Sequence, residues 1–272
     1  MSVQPVEEEM AAGTIRVPAS ERRRRDQVWQ SAQAGDLVAE ECPVALTYNG
    51  ISHAVMMATP CDLEDLGRGF SLSEGIIDSL QDVFDIAVTG DTEAGFTVDL
   101  HIHGARLDRL KRQHRHMAGP TGCGLCGKDS LAAVLQSLQP LAGSAPPEPE
   151  VVERALLALP ERQPIQQESG ACHAAAWCSS TGDIMLSRED VGRHNALDKL
   201  IGALAREPVV LADGFALVSS RASYELVYKA VRAGMPSLVA VSGATHMAVK
   251  SARQSRLNLI GFARPARQVI YS

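Results

Sequence analysis

Aromatic residues are scarce in this 272-residue chain, at 4% of the composition. A surface that stacks the bases of single-stranded nucleic acid depends on such side chains, so that class of function is not expected. The net charge of −6 also argues against general nucleic-acid binding. The sequence therefore predicts no nucleic-acid partner.

Long apolar runs are also lacking. No stretch approaches the ~20 apolar residues of a membrane span. Met1–Met10 carries three glutamates where a secretion signal would carry an apolar core. The six cysteines, in a chain without an export signal, are better interpreted as reduced thiols than as a disulfide scaffold. We expect a cytoplasmic protein with no membrane partner.

The sequence of residues 1–34 predicts a flexible tail. Within it we interpret Arg22–Arg25 as a solvated arm or the edge of a first strand; the alternative is that these charges steer a partner or cofactor towards the protein. Residues 35–140 predict a smaller α+β domain that ends in a cysteine-rich segment and a helix. Its first hairpin joins strands 42–48 and 53–58 across Asn49-Gly50. A helix capped by Asp62 follows, and then strands 83–88 and 96–102.

Residues 141–150, rich in proline, predict a linker, and residues 151–272 predict an α/β domain. This domain begins with a helix over 151–159, a hairpin of strands 172–178 and 183–186, and a helix over 191–204. The remaining predicted strands are 209–218, 237–242 and 257–262, and the remaining helices are 222–233 and 245–254. Such alternation favours parallel strands with right-handed crossovers.

The segments that follow the last three strands predict a site for a phosphorylated ligand. Ligands of such sheets lie beyond the carboxyl ends of the strands, and the first two segments also precede helices, whose N-termini attract anions. Each segment combines small or hydroxyl-bearing residues with a cation or a histidine. The candidate binding residues are Ser220, Arg221, Ser223, His246, Phe262, Ala263, Arg264, Pro265, Ala266 and Arg267.

A dense polar run, 187–199, also follows a predicted strand and opens a helix. Helix capping explains Glu189 and Asp190 in part. For the run as a whole, including Arg193 and His194, we favour a ligand-binding or catalytic role. His173 is a further candidate. Guanidinium groups match phosphate geometry, and the cations available are Arg193, Arg221, Lys229, Arg264 and Arg267.

Cys123 and Cys126 form a Cys-x-x-Cys motif in the glycine-rich segment 121–128, just before an amphipathic run. A helix N-terminus and Lys128 would favour a thiolate there. Three chemistries remain open: a dithiol, a persulfide relay, or zinc with two added histidines. The candidate histidine pairs are His101 with His103 and His114 with His116. The signature of zinc deaminases is missing, and we predict no metal site.

Several longer motifs point to a family. They are Met56–Pro60, Gly69-Phe70 with Glu74–Ile77, Cys123–Lys128, Glu189–Asn195 with Asp198-Lys199, and Gly261–Arg264. In these motifs, over residues 36–271, the chain resembles the FdhD family of formate dehydrogenase accessory sulfurtransferases. It departs from the family pattern at 169–173 and at 241–245, and the second departure removes a possible cation from a predicted phosphate-binding segment.

The resemblance implies a sulfur carrier. It would accept persulfide sulfur from a cysteine desulfurase and pass it to the bis-guanine-dinucleotide molybdenum cofactor before that cofactor enters the formate dehydrogenase catalytic subunit. Cys123 would hold the persulfide with help from Cys126, and residues 262–267 would bind the cofactor, which a guanine nucleotide could mimic. The resemblance also implies a cytidine-deaminase-like fold for residues 151–272 and a homodimer. A cofactor-binding chaperone that moves no sulfur is the alternative.

Overall fold

The structure, a computed structural model, describes residues 10–114 and 138–272. Cys123, Cys126 and the helix predicted after them lie outside the described residues. The strands are β1 (Thr14–Arg25), β2 (Val28–Ala39), β3 (Cys42–Tyr48), β4 (Ile51–Ala58), β5 (Val83–Asp91), β6 (Gly95–Ile102), β7 (His173–Ser179), β8 (Ile184–Asp190), β9 (Gly214–Val218), β10 (Ser237–Ala240), β11 (Asn258–Arg264) and β12 (Arg267–Ile270). The helices are α1 (Leu63–Ser73), α2 (Gly104–His114), α3 (Pro149–Ala158), α4 (Pro164–Ser169), α5 (Arg193–Leu204), α6 (Tyr224–Arg232) and α7 (His246–Ser255).

The prediction of a flexible tail over residues 1–34 is wrong for its larger part. Strands β1 and β2 pair along their whole length as an antiparallel hairpin. The turn at Asp26 and Gln27 has φ angles of +47° and +65°, which matches a tight two-residue hairpin turn. Asp-Gln is a weak sequence signal for that turn, and the hairpin has no continuous buried face that would impose alternation.

A four-stranded sheet in the order β4-β3-β6-β5 forms the N-terminal unit, and β3 pairs with β6 in parallel. The predicted hairpin across Asn49-Gly50 is confirmed, and both turn residues have positive φ. Helix α1 covers the sheet with Leu63 and Leu66. Asp62 precedes α1, but its side chain makes no capping hydrogen bond. It lies instead near Arg188 of the C-terminal unit.

The C-terminal unit contains a six-stranded sheet in the order β12-β11-β10-β9-β7-β8. Strands β9, β10 and β11 are parallel, as the alternating pattern predicts. Strand β9 is shorter than the predicted 209–218, because a 3₁₀ turn occupies Leu211–Asp213. An α/β C-terminal unit preceded by a smaller α+β unit is therefore confirmed.

Helices α1 and α5 pack against each other and form a very close contact between the two units. A Cβ atom added to Gly69 would lie 1.7 Å from the backbone oxygen of Asp198, and one added to Gly202 would lie 1.9 Å from that of Asp65. Only glycine lets two helix backbones approach this closely. The residues before α3 are also held, because Nδ2 of Asn258 donates to the backbone oxygens of Ser144 and Ala145.

Candidate functional site at the strand ends

The segments after β9, β10 and β11 lie against one another at one edge of the C-terminal sheet. Ser242 N donates to Ser220 O over 3.3 Å, and Phe262 N donates to Ser242 O over 2.9 Å. Ala222 and Gly243 are joined by a further backbone hydrogen bond of 3.1 Å. The three segments predicted to bind a phosphorylated ligand therefore form one continuous surface, which we call the strand-end site.

Phe262 marks the centre of this surface. Its φ angle of +48° is unusual for a residue with a side chain, and its ring lies against Gly243, where an added Cβ would be 2.8 Å away. The guanidinium of Arg267 stacks on the same ring at 4.7 Å, as a cation–π pair does. This arrangement holds a cation at the surface in a fixed position.

The rest of the 262–267 segment has two different environments. Ala263 is fully buried in the core on one face of the sheet, so its side chain cannot touch a ligand. Arg264, Pro265 and Ala266 are exposed at the turn between β11 and β12. Ala266 adopts φ of +61° in that turn, which leaves both arginines that flank the turn open to solvent.

The N-terminal end of α5 adds a second group of polar side chains. Nε of Arg193 is shielded from solvent and has no hydrogen-bond partner among the described residues. Nε2 of His194 lies 3.8 Å from a carboxylate oxygen of Glu225. Interaction with His194 is the largest cause that lowers the pKa of Glu225 to about 2. Burial, Arg193 and His194 together lower the pKa of His173. A shielded guanidinium N–H group without a partner is costly and favours an anionic ligand.

The remaining candidates differ in exposure. Ser220 is buried, and its hydroxyl donates to the backbone oxygen of Arg221. Arg221 itself is exposed. Ser223 is buried at the start of α6. His246, the first residue of α7, is exposed, and the preceding Thr245 caps the helix by accepting from Ala248 N.

Much of the polar run 187–199 is structural, which corrects the role favoured from the sequence. The Glu189 carboxylate accepts the N–H groups of Ile165 and Gln166 at the start of α4. Asp190 is buried with Lys199, and Asn195 donates to the backbone oxygen of Met57. Helix capping and contacts between the units therefore account for Glu189, Asp190, Asn195 and Lys199. Of the run, Arg193 and His194 remain as candidates for ligand binding at the strand-end site.

Lys229 is likewise not available to a ligand. Its ammonium group is buried and donates to Asp198, Glu74 and Ser73 over 2.9–3.0 Å. Those carboxylates raise its pKa despite burial. The expectation that Lys229 supplies a cation for phosphate is therefore wrong. The sequence shows no sign of these contacts, because Glu74 and Asp198 lie far from Lys229 in the chain.

The cysteines that the structure describes are poor nucleophiles. Burial raises the pKa of both Cys172 and Cys178 to about 12 and also raises the pKa of Cys42 and Cys61. All four are free thiols. In the described parts of the chain, no group of three or more potential ligands could hold a metal ion. The zinc alternative for Cys123 and Cys126 lies outside these residues and stays untested.

Sequence reasoning missed Thr59 and Ser73 as partners of the polar run. Thr59 hydrogen-bonds to Asp190 and Lys199, and Ser73 donates to Asp198 over 2.7 Å. Thr59 lies within the motif 56–60, which was the only signal for it. Both residues belong to the N-terminal unit, more than a hundred positions before their partners.

Comparison with known proteins gives a consistent result. The model of the FdhD/NarQ family matches residues 39–272. A protein of Cupriavidus necator named sulfur carrier protein FdhD is 49% identical over 268 residues, covering 96% of this chain and 91% of its own length. A protein of Bordetella bronchiseptica with the same name is 47% identical, covering 92% of this chain and 90% of its own length.

A solved structure shares the fold. The crystal structure of a protein from Desulfotalea psychrophila matches with a TM-score of 0.72, covering 94% of this chain and 96% of that one, at 19% sequence identity. At this identity the likeness concerns the fold alone. No helix among the described residues has the length and apolar character required to cross a membrane.

Proposed function

Because the chain belongs to the FdhD/NarQ family, we propose that it is a sulfurtransferase that carries sulfur during the maturation of formate dehydrogenase. Its sulfur comes from a cysteine desulfurase and goes to the molybdenum cofactor in its bis-guanine-dinucleotide form, which is the substrate of the reaction. The names of the relatives support the carrier role. Its cytoplasmic location, its homodimeric state and its partners are parts of the same proposal.

Cys123 and Cys126 carry the sulfur chemistry in this proposal. The thiolate of Cys123 attacks the outer sulfur of the desulfurase persulfide, a new S–S bond forms on Cys123, and the desulfurase leaves as a thiolate. Attack of Cys126 on the inner sulfur then forms a Cys123–Cys126 disulfide and releases sulfide to the cofactor. The two cysteines supply both electrons, and a dithiol reductant must reset the pair.

The strand-end site binds the cofactor in this proposal. Arg193, Arg264 and Arg267 can neutralise phosphate groups, and Phe262 holds Arg267 in place through its ring. The observation that carries the binding step is the shielded Nε of Arg193, which has no partner in the described parts of the chain. An anionic group would satisfy it, and this requirement fits a dinucleotide with several phosphates.

Intact-mass measurement tests the sulfur step. Wild-type protein treated with desulfurase and cysteine should gain one sulfur atom, and Cys123→Ala should gain none. Cys126→Ala should be loaded but should fail to release sulfide. If Cys123→Ala restores normal formate dehydrogenase activity to cells that lack the wild-type protein, the sulfur-carrier proposal is wrong, and the alternative of a chaperone that moves no sulfur is favoured.

Guanosine diphosphate binding tests the binding step separately. Arg193→Met should weaken binding by a factor of roughly ten or more, because a charge-assisted hydrogen bond contributes about 1.5–3 kcal/mol. Arg154→Met is the matched control, since Arg154 is exposed on α3 and outside the strand-end site. Equal affinity of the two variants would contradict the assignment of Arg193.

A further inference from the structure

The hairpin of β1 and β2 extends from the body of the protein. Every residue from Ser20 to Asp36 is exposed, so the paired strands extend over roughly 20 Å at about 3.4 Å per residue. We call residues 14–39 the arm. The family model begins at residue 39, so the features that define the family do not account for the arm.

The base of the arm is firmly held. The Glu168 carboxylate accepts Ala11 N over 2.9 Å and the Thr14 hydroxyl over 2.6 Å. Gly13 O accepts Glu40 N over 2.7 Å, which closes the base from the other strand. The arm therefore leaves the body in a defined direction.

The end of the arm has the composition of a binding surface. Arg22, Arg23, Arg24 and Arg25 are consecutive, and within residues 10–114 and 138–272 their one ion pair joins Arg23 to Glu21 at the exposed surface. Trp29 is 65% exposed and pairs across the strands with Arg24. Strand alternation places Arg22, Arg24 and Trp29 on one face. Arginine and tryptophan are enriched among the residues that dominate protein interfaces.

The isolated arm is costly to maintain. A two-stranded hairpin alone is marginally stable in water, and four neighbouring positive charges repel one another. An acidic surface would relieve this repulsion and cover Trp29. A nucleic acid fits less well, because the whole chain carries a net charge of −6 and would repel a second polyanion beyond the arm.

The base of the arm is connected to the strand-end site through α4 and the start of β7. Glu168 belongs to α4, which leads into β7 and His173. Glu189 caps the same helix and lies four positions before Arg193. A protein bound to the arm would therefore meet the body of the chain at the edge where the strand-end site lies.

We propose that the arm docks an acidic surface of the protein that collects the cofactor from the strand-end site. This identification of the partner rests on the proposed function, in which the collecting protein is the formate dehydrogenase catalytic subunit. In this proposal the cysteine desulfurase reacts with Cys123 and does not bind the arm.

Direct binding tests the proposal. Full-length protein is titrated against purified, cofactor-free dehydrogenase catalytic subunit by biolayer interferometry. Arg22→Glu with Arg24→Glu should raise the Kd roughly tenfold, and Trp29→Ala should also weaken binding. Higher salt should weaken the wild-type complex more than that of the charge-reversed variant. Arg154→Glu is the control: it reverses one charge at an exposed site on α3 and changes the net charge by half as much as the double arm variant.

Persulfide loading separates this proposal from the proposed function. The arm variants should gain sulfur from the desulfurase and bind guanosine diphosphate as wild type does, which also verifies that they fold. If wild type gains no sulfur, the sulfur-carrier role fails, and the Kd comparison still decides the role of the arm. The proposal would be overturned if the Kd of the arm variants were unchanged, or if Arg154→Glu lost as much affinity as they do. It would also be overturned if the arm variants lost only sulfur loading, or if they changed from dimer to monomer.

Discussion

The carboxylate of Asp190 and the ammonium group of Lys199 lie 2.6 Å apart, and both side chains are completely buried. The hydroxyl of Thr59, from the N-terminal unit, accepts from Lys199 over 2.7 Å and donates to Asp190 over 3.0 Å. Asp190 also accepts Gly192 N, just before Arg193. This pair therefore links the contact between the units to the loop that carries Arg193 and His194.

Replacement of Lys199 by methionine should destabilise the protein by about 3–5 kcal/mol, because it leaves the Asp190 carboxylate buried without its counter-charge. Urea unfolding followed by circular dichroism measures the change. The exposed Lys250 on α7 provides the control, where the same substitution should change stability by less than about 0.5 kcal/mol. Similar losses in both variants would mean that the buried pair has no special role.

Addition of one methyl group between α1 and α5 should strongly lower the stability of the folded protein. In Gly69→Ala the new Cβ would collide with the backbone oxygen of Asp198, so the helices must separate, at a cost of about 3 kcal/mol. Gly104→Ala is the matched control, since nothing lies within 4 Å of its added Cβ. Thermal unfolding of the two variants distinguishes close helix contact from a general effect of alanine.

Acid should weaken the contact between α5 and α6. The folded pKa of Glu225 is lowered to about 2 from 4.5, so its contribution to stability is present above about pH 4.5. It is lost as the pH falls towards 2, where the folded protein also takes up the proton. Urea midpoints across this range should decline less steeply in Glu225→Gln than in wild type. Parallel curves would show that the pairing with His194 contributes nothing.

The buried cysteines should resist modification. In the variant Cys123→Ser with Cys126→Ser, the remaining thiols have raised pKa values, about 12 for Cys172 and Cys178. Iodoacetamide attacks thiolates, so little label should be incorporated at neutral pH while the protein is folded. Mass spectrometry after labelling in urea should find all four sites alkylated. Rapid labelling of Cys172 in the folded state would contradict its assigned burial.

The sequence was sufficient to predict those elements whose structure is decided by neighbouring residues. Asn49-Gly50 identified a hairpin because few residue pairs adopt its turn as readily. Alternation of apolar segments with helical patterns predicted the parallel strands β9–β11, and the segments that follow these strands lie side by side at one edge of the sheet, as the topology rule requires. Asp26-Gln27 makes a similar turn without the favoured residues, so the arm was predicted as a tail.

Distant partners could not be predicted. Asp190, Asp198 and Lys199 have the composition of a catalytic run, and their structural role depends on Thr59 and Ser73 of the other unit. Lys229 appeared available for the same reason. Charge and spacing within one segment do not reveal whether a charged residue has a buried partner elsewhere.

The glycine contact between α1 and α5 also has a consequence during synthesis. The ribosome completes α1 long before α5 emerges, so Gly69, Asp65 and Ser73, which contact α5 in the folded protein, are uncovered during that interval. Chaperones that bind exposed helices would meet the nascent chain there. When residues 10–114 are made without the rest of the chain, this face of α1 has no α5 to cover it, so we expect less of that half to accumulate than when the two halves are co-expressed.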